Sequence, residues 1–580
     1  MTQHTAHTNP TVLDPLEIAV WASTMAMIAE EMGAVLIRGA LSPNIRERRD
    51  ASCALFDAEG EMVAQAAHIP VHLGALPEAV RAVRACAPQP GDLFLLNSPW
   101  YGGSHLPDLT MVEAIADGDR VAGYAVVRAH HADVGGMSPG SMPQGATELV
   151  QEGLILPPVR LERAGVPDDD LLRLVLANVR TPDERRGDLA AQRAACAAGA
   201  AGWRTLLARH GRERIASVVQ GLVAYAERRA TARLLALDGA HGAAEDVLEG
   251  DGISEALIPL RLALRIEGGQ LHLDFTGTAP MVAGNVNCPI QVTRAAALFV
   301  LRSMLDDDVP TNGGIARPSH IVTPEDCCIA ARSPAAVAAG NVEMSQRLTD
   351  LLFAALADAG VEVPAQGQGT MNNITFGGAG WTFYETLGGG QGASARGPGP
   401  DAVHVGMSNT RNTPIESLER AYPIVIDRYA IRRGSGGAGA HRGGDGVIRA
   451  YRVVAPCSVT VLTERRARAP RGAAGGGDGS AGENRLNDVL LPAKCRRALV
   501  PGDVVELRTP GGGGYGASQH VGRALHHADP RIHPEIGDQQ IGDPLGEGRE
   551  FSTGRTDRAV DEREDRDGRA PIVLGDERGR

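Results

Sequence analysis

Two stretches, GGSHLPDLT at 102–110 and RAHHADVGG at 128–136, gather His105, Asp108, His130, His131 and Asp133 among glycines and a proline. Imidazole and carboxylate are ordinary ligands of a divalent ion, and an ion held by three protein groups with one position open can activate water. The spacing alone is not diagnostic. His-x-x-Asp lacks the fixed helical geometry of HExxH, and polar residues in glycine-rich loops often bond their own backbone. The paired histidines narrow the choice, because neighbours on a strand face opposite ways. One of His130 and His131 can share a ligand shell with His105 and Asp108. The other is left as a support or a proton carrier.

The surrounding chain supplies rigid elements for such a cluster. LFLLNSPW (93–100) reads as a short buried strand whose end delivers Asn97 and the first motif, and RVAGYAVVRAHH (120–131) as a strand ending in the histidine pair. Upstream, Asp14–Met32 has helical spacing after an acidic start, 51–66 reads as two strands about an Asp-Ala-Glu-Gly turn, and 73–92 as a helix stopped by prolines. From 182 to 237 the Ala/Arg/Leu-rich sequence is helical in period. A hairpin is expected over 258–280, followed by helices at 291–305 and 341–360. After Val363 glycine punctuates short strands, including GQGTMNNITFGG, YETLGGGQGA and RRGSGGAGAHRGGDG. The expected class is therefore α/β (α+β) and multi-domain. Its expected parts are a flexible 1–13, an α/β part with the metal site at 14–180, helices plus hairpin at 181–362, a β-rich part at 363–517, and a disordered charged tail at 518–580.

Composition excludes several classes. The formal charge of −13 does not supply the basic surface that phosphate neutralisation needs, so no nucleic-acid partner is expected. No stretch reaches the ~20 uninterrupted apolar residues of a membrane span, and the N-terminus lacks a basic start and apolar core, which makes the cytoplasm the default. The eight cysteines show no CxxC pairs and read as reduced thiols. The only lysine is Lys494, so a GxxxxGK[ST] loop is absent and ATP chemistry would need another site or another chain.

Three other motifs carry less. GSGGAG at 434–439 fits GxGxxG but is followed by turn and strand rather than a helix, against a dinucleotide site. TPGGGGYG at 509–516 reads as close backbone packing. VHVGMSNTRNTPIESLE at 403–419 brings a histidine, asparagines and threonines before a helix start, most of which turn and cap duty explains.

The ordered series SPNIRERRDASCALFDAEGEMVAQAAHIPVHLGAL, NSPWYGGSHLPDLT, RAHHADVGG, QEGLILPPVRL, DFTGTAP, GNVNCP, VPTNGG, YETLGGGQGA, NTRNTPIE and TPGGGGYG, from 14 to 516, strongly resembles the hydantoinase B/oxoprolinase family. The resemblance implies a B-type subunit of an ATP-dependent cyclic-amide hydrolase acting on hydantoins, 5-oxoproline or related lactams. An A-type ATPase partner chain would use ATP to phosphorylate the substrate carbonyl oxygen, in a hetero-oligomer. It also implies a divalent metal (Zn, Mn or Mg) at positions that look like His105, Asp108 and a histidine of the pair, with His130 favoured and His131 the alternate. In that reading His131 or Asp133 moves the proton, with Asn97 and Glu152 as polar neighbours. Two other readings stand beside it: a subunit of an ATP-dependent ketone carboxylase, and a non-catalytic scaffold for the ATPase chain.

Overall fold

The computed structural model describes residues 13–518 apart from His68 and Leu73, so the expected disordered tail lies outside the described residues from 519 onward. Seven strands, β1 (Ala51–Asp57), β2 (Met62–Ala67), β3 (Leu93–Leu96), β4 (Asp108–Asp117), β5 (Arg120–His130), β6 (Val159–Arg163) and β7 (Val166–Pro167), form a first sheet in the order β2-β1-β5-β4-β3-β6-β7. Every pairing in it is antiparallel. The central strands are apolar on both faces because both are covered. Ala125, Val127 and Ala129 of β5 join a core with helices α1 (Pro15–Gly39), α5 (Pro182–His210) and α6 (Arg212–Leu235). Tyr124 and Val126 join the opposite core with α3 (Leu76–Ala85). The short helices α2 (Pro43–Arg46) and α4 (Asp169–Ala177) flank this layer.

Helix α1 begins with a capping box between Asp14 and Glu17. Its 25 residues and mean hydropathy of 1.4 would suffice to cross a membrane. Glu30 and Glu31 interrupt its apolar run, and its inner face, including Met25, Ile28, Met32 and Leu36, is buried in the core it shares with α5. Close approach depends on α5 glycines: a Cβ on Gly199 would lie 2.4 Å from Met32 Sδ. The single helical run expected over 182–237 is broken at Gly211, whose φ of +77° suits glycine.

The second sheet, β11-β10-β9-β8, comprises β8 (His241–Glu249), β9 (Leu257–Glu267), β10 (Gln270–Asp274) and β11 (Ser319–Val322). β9 alternates strictly, burying Ile258, Leu260, Leu262, Leu264 and Ile266 against α7 (Ile290–Ser303) and α8 (Ser345–Asp358). The expected hairpin turns at Gly268-Gly269, both at positive φ. Packing does not follow the expected boundaries at 180 and 362. Val337 sits in the first sheet's core, and Ile69, Val71 and Met142 sit in the second's.

Two further sheets face each other across a core of Phe376, Phe383, Tyr451, Val461 and Leu507. One is β13-β12-β16-β19, from β12 (Asn373–Gly378), β13 (Trp381–Glu385), β16 (Cys457–Leu462) and β19 (Lys494–Leu499). The other is β14-β15-β20-β17-β18, from β14 (Ile424–Arg432), β15 (Gly446–Val453), β17 (Glu483–Leu486), β18 (Val489–Leu491) and β20 (Val504–Arg508), with α9 (Ile415–Ala421) leading into β14. RRGSGGAGAHRGGDG, expected as strand, is instead an irregular ribbon beside 472–479 and 511–516. Backbone bonds such as Gly437 N–H to Gly512 O and Gly514 N–H to Gly477 O join the ribbons. The packing leaves no room for side chains, since a Cβ on Gly444 would lie 1.8 Å from Pro400 O. No helix follows GSGGAG.

Candidate metal centre

The sheet register creates the site. Asp108, the first residue of β4, pairs directly with His130, the last of β5. Even-numbered residues of both strands face α3, so the two side chains share a face, and His131 is turned to the other. The loop before β4 returns His105 to the same place. Gly102 has φ +94°, and a Cβ there would lie 2.2 Å from Ala79 N, so only glycine lets the loop pass this close to α3. Arg128 fixes the loop, donating to Thr110 Oγ1 at 2.8 Å and Gly102 O at 2.6 Å.

Three donor atoms converge. His105 Nε2 lies 3.2 Å from His130 Nδ1 and 3.3 Å from Asp108 Oδ1, and His130 Nδ1 lies 3.3 Å from Asp108 Oδ1. All three residues are buried. Ligands about 2.1 Å from one ion stand roughly 3.0 Å apart at octahedral angles and 3.4 Å apart at tetrahedral ones, so the triangle matches one face of a coordination shell. The site also supplies outer supports. His105 Nδ1 donates to Ala338 O at 3.1 Å, which leaves the Nε2 lone pair facing the triangle. Asp108 Oδ2 accepts from Ser104 Oγ and lies 3.3 Å from His72 Nε2, whose ring is held through Nδ1 by Ser52 Oγ at 3.0 Å. His130 stacks on Tyr384 with centroids 4.5 Å apart and 15° between planes.

Electrostatics follow the same geometry. Burial pushes the Asp108 carboxyl up, but His105 and His72 overcome this and hold it well below the usual carboxylate range. Burial pulls the His105 imidazole down, and Asp108 more than compensates, leaving it above its ordinary value. For His130 burial prevails and the ring is held below its ordinary value. The cluster is therefore an anionic carboxylate between two nitrogen donors.

The other sequence-singled residues do other work. His131 bonds Gln192 Oε1 of α5 at 2.8 Å, and burial, reinforced by Arg185, pulls it down to about 4. The Asp133 oxygens accept from the amides of Gly135, Gly140 and Arg180 and from the Arg180 guanidinium, with no atom left for the cluster. Asn97 clamps the backbone of Leu106, Leu154 and Leu156. Glu152 Oε1 accepts from Val337 and Ala338 N–H at 2.9 Å each, bracing the carbonyl that orients His105, while its buried Oε2 has no partner. Burial raises this carboxyl to about 8 against those amide bonds. The 403–419 loop serves as a brace: Thr410 contacts Arg48, Arg48 holds Asn44, and Asn44 Nδ2 donates to His130 O at 2.6 Å.

Sequence reasoning missed His72, Ser104, Asn341 and Tyr384. Ser104 stood inside the motif and could have been singled out as a partner for Asp108. His72 had no spaced companion, and Asn341 and Tyr384 come from more than 200 residues away, so no local pattern announced them.

Comparison with known proteins places this geometry in context. The sequence profile described as Hydantoinase B/oxoprolinase matches residues 14–518. The chain is 34% identical over 537 residues to 5-oxoprolinase 1 of Arabidopsis thaliana, covering 87% of this chain and 42% of that protein. It is 30% identical over 540 residues to a protein of Pseudomonas sp. (strain NS671) provisionally named as the B-type subunit of a D-/L-hydantoinase, covering 88% and 91%. It superposes on the crystal structure of ATP-dependent caprolactamase from Pseudomonas jessenii with a TM-score of 0.80 and 27% identity, covering 87% and 92%. The chain thus spans about two fifths of the length of the 5-oxoprolinases it matches and nine tenths of the other two proteins.

Proposed function

The chain belongs to the hydantoinase B/oxoprolinase family, and on that premise we propose that it is the ring-opening subunit of an ATP-dependent cyclic-amide hydrolase whose A-type partner phosphorylates the substrate. The observation that carries this reading is the buried triangle of His105 Nε2, Asp108 Oδ1 and His130 Nδ1. The partner is supported by the absent P-loop lysine and by the lengths of the relatives: the chain covers nearly all of the hydantoinase relative yet well under half of a 5-oxoprolinase.

A lactam carbonyl is a poor electrophile, and transfer of the ATP γ-phosphoryl group to its oxygen activates it. Water then adds to the carbon, the ring C–N bond breaks as the nitrogen takes a proton, and a second water hydrolyses the resulting acyl phosphate. Products are the open-chain amino acid, ADP and phosphate. A divalent ion, when bound, supplies Lewis acidity and a water that ionises near neutral pH. His105, Asp108 and His130 hold it, and a set of two imidazoles and one carboxylate favours Zn²⁺ or Mn²⁺ over Mg²⁺. Asp108 keeps its charge, with Oδ2 fixed by Ser104 and Oδ1 free for the ion. Complete burial keeps bulk water from the activated intermediate. For the proton delivered to nitrogen, Glu152 is better suited than His131 or Asp133. Its Oε2 is unpartnered, it acts on His105 electrostatically, and a value near 8 lets it give up a proton at neutral pH.

The test is reconstitution with the A-type chain and assay of ATP-dependent opening of hydantoins, 5-oxoproline and caprolactam. Neither chain alone should turn over, the pair should, and Asp108→Ala should abolish ring opening and bound metal while assembly persists. Robust turnover by this chain alone, or full turnover by the Asp108→Ala pair, would refute the reading.

A further inference from the structure

We infer that Asn341 is a fourth ligand of the metal centre, giving its amide oxygen to the ion alongside His105, Asp108 and His130. This rests on the metal reading above and adds a residue to it. Asn341 Nδ2 lies 3.1 Å from His105 Nε2, close to the 3.2–3.3 Å that separates the three converging donors from one another. The amide therefore stands at the next corner of the same shell. Its other end supplies a second, independent observation: Oδ1 is buried, on a residue only 3% exposed, and has no hydrogen-bond partner.

The chemistry of one lone pair joins these facts. His105 Nδ1 is committed as a donor to Ala338 O, so Nε2 offers a single lone pair. An N–H from Asn341 and a cation cannot share it. When a cation takes it, the amide must turn about its Cβ–Cγ bond, which brings Oδ1 to the place Nδ2 now holds. That movement gives the orphaned oxygen a cation and relieves the clash of an N–H with a metal-bound nitrogen. Amide oxygens are established ligands of divalent ions.

The backbone is built to deliver this residue. Gly340–Met344 is a π-turn, with Ser345 N–H bonded to Gly340 O, and it leads into α8. A π-turn inserts one residue, worth about 100° of rotation in an α-helix, so Asn341 reaches the site while α8 keeps its buried face. The entry is fixed by Asn285 O, which accepts from both Ala339 and Gly340 N–H, and a Cβ on Gly340 would lie 1.8 Å from Asn287 O. GNVNCP is thus the cradle of the segment that carries Asn341.

Titration of the full-length chain with Co²⁺, followed by the visible absorption that reports coordination number and by competition with a chelator, tests this without turnover. Asn341→Leu should weaken Co²⁺ binding at least 10-fold and change the spectrum toward fewer ligands. Asn341→Asp, nearly isosteric and still an oxygen donor, should bind at least as tightly as wild type. Unchanged affinity and spectrum in Asn341→Leu would overturn the assignment. So would a folded Asn341→Asp that binds as weakly as Asn341→Leu, because the amide N–H would then be the part that matters. A wild-type chain that takes up no Co²⁺ would instead overturn the metal reading on which this rests.

Discussion

Glu152→Gln separates two things that Glu152 does: it accepts two amide hydrogen bonds, and it holds a proton. Its Oε1 braces Val337 and Ala338, the segment whose carbonyl orients His105, and glutamine keeps that oxygen. What changes is the titration. Burial raises the folded carboxyl from 4.5 to about 8, so between those values the closed segment keeps a proton that the opened segment releases. Stability from this group is fully present below pH 4.5 and is lost as pH rises toward 8. Each pH unit in that window costs about 1.4 kcal/mol, so the free energy of opening this segment should fall by about 3–4 kcal/mol from pH 5 to pH 8 in wild type. In Glu152→Gln that slope should vanish. Hydrogen exchange of peptides covering 334–342, corrected for intrinsic rate and followed across that range on chelator-treated protein, reads the difference locally without assuming that the whole chain unfolds in one step. Parallel pH profiles in the two proteins would mean that Glu152 is already ionised in the fold and that its suggested role as proton donor is wrong.

Two further outcomes follow from packing. Gly512→Ala should cost about 3 kcal/mol or more, seen as a large drop in thermal midpoint and soluble yield, because its Cβ would lie 2.1 Å from the backbone oxygen of Gln391, which cannot move aside cheaply; an unchanged midpoint would show that the ribbons are not tightly layered. Tyr384→Phe should keep the ring stacked on His130 and hold metal affinity within about threefold of wild type, while losing the 2.7 Å bond to Asn373 Oδ1 at a cost of roughly 1–2 kcal/mol. Tyr384→Ala should weaken metal binding roughly 10-fold or more, and equal weakening by Phe and Ala would remove stacking as the cause.

The sequence by itself determined the local pieces. The alternation in RVAGYAVVRAHH dictated a strand and, with it, that His130 and His131 point apart; the apolar spacing of α1, α7 and α8 dictated helices; the glycines at 102, 268 and 269 dictated where the backbone turns through positive φ. These are properties of neighbours in the chain, and elementary sterics and burial decide them. Tertiary structure alone decided which histidine joins the triangle, because that depends on the register pairing Asp108 with His130 and on which face of the sheet α3 covers. It decided that Asp133 and Asn97 are backbone clamps, since their partners at Arg180, Leu154 and Leu156 lie far along the chain. It also brought in His72, Asn341 and Tyr384. A metal centre needs donors within a few ångströms, but nothing in the chemistry of a ligand requires those donors to be near in sequence, and only the closed fold sets that distance.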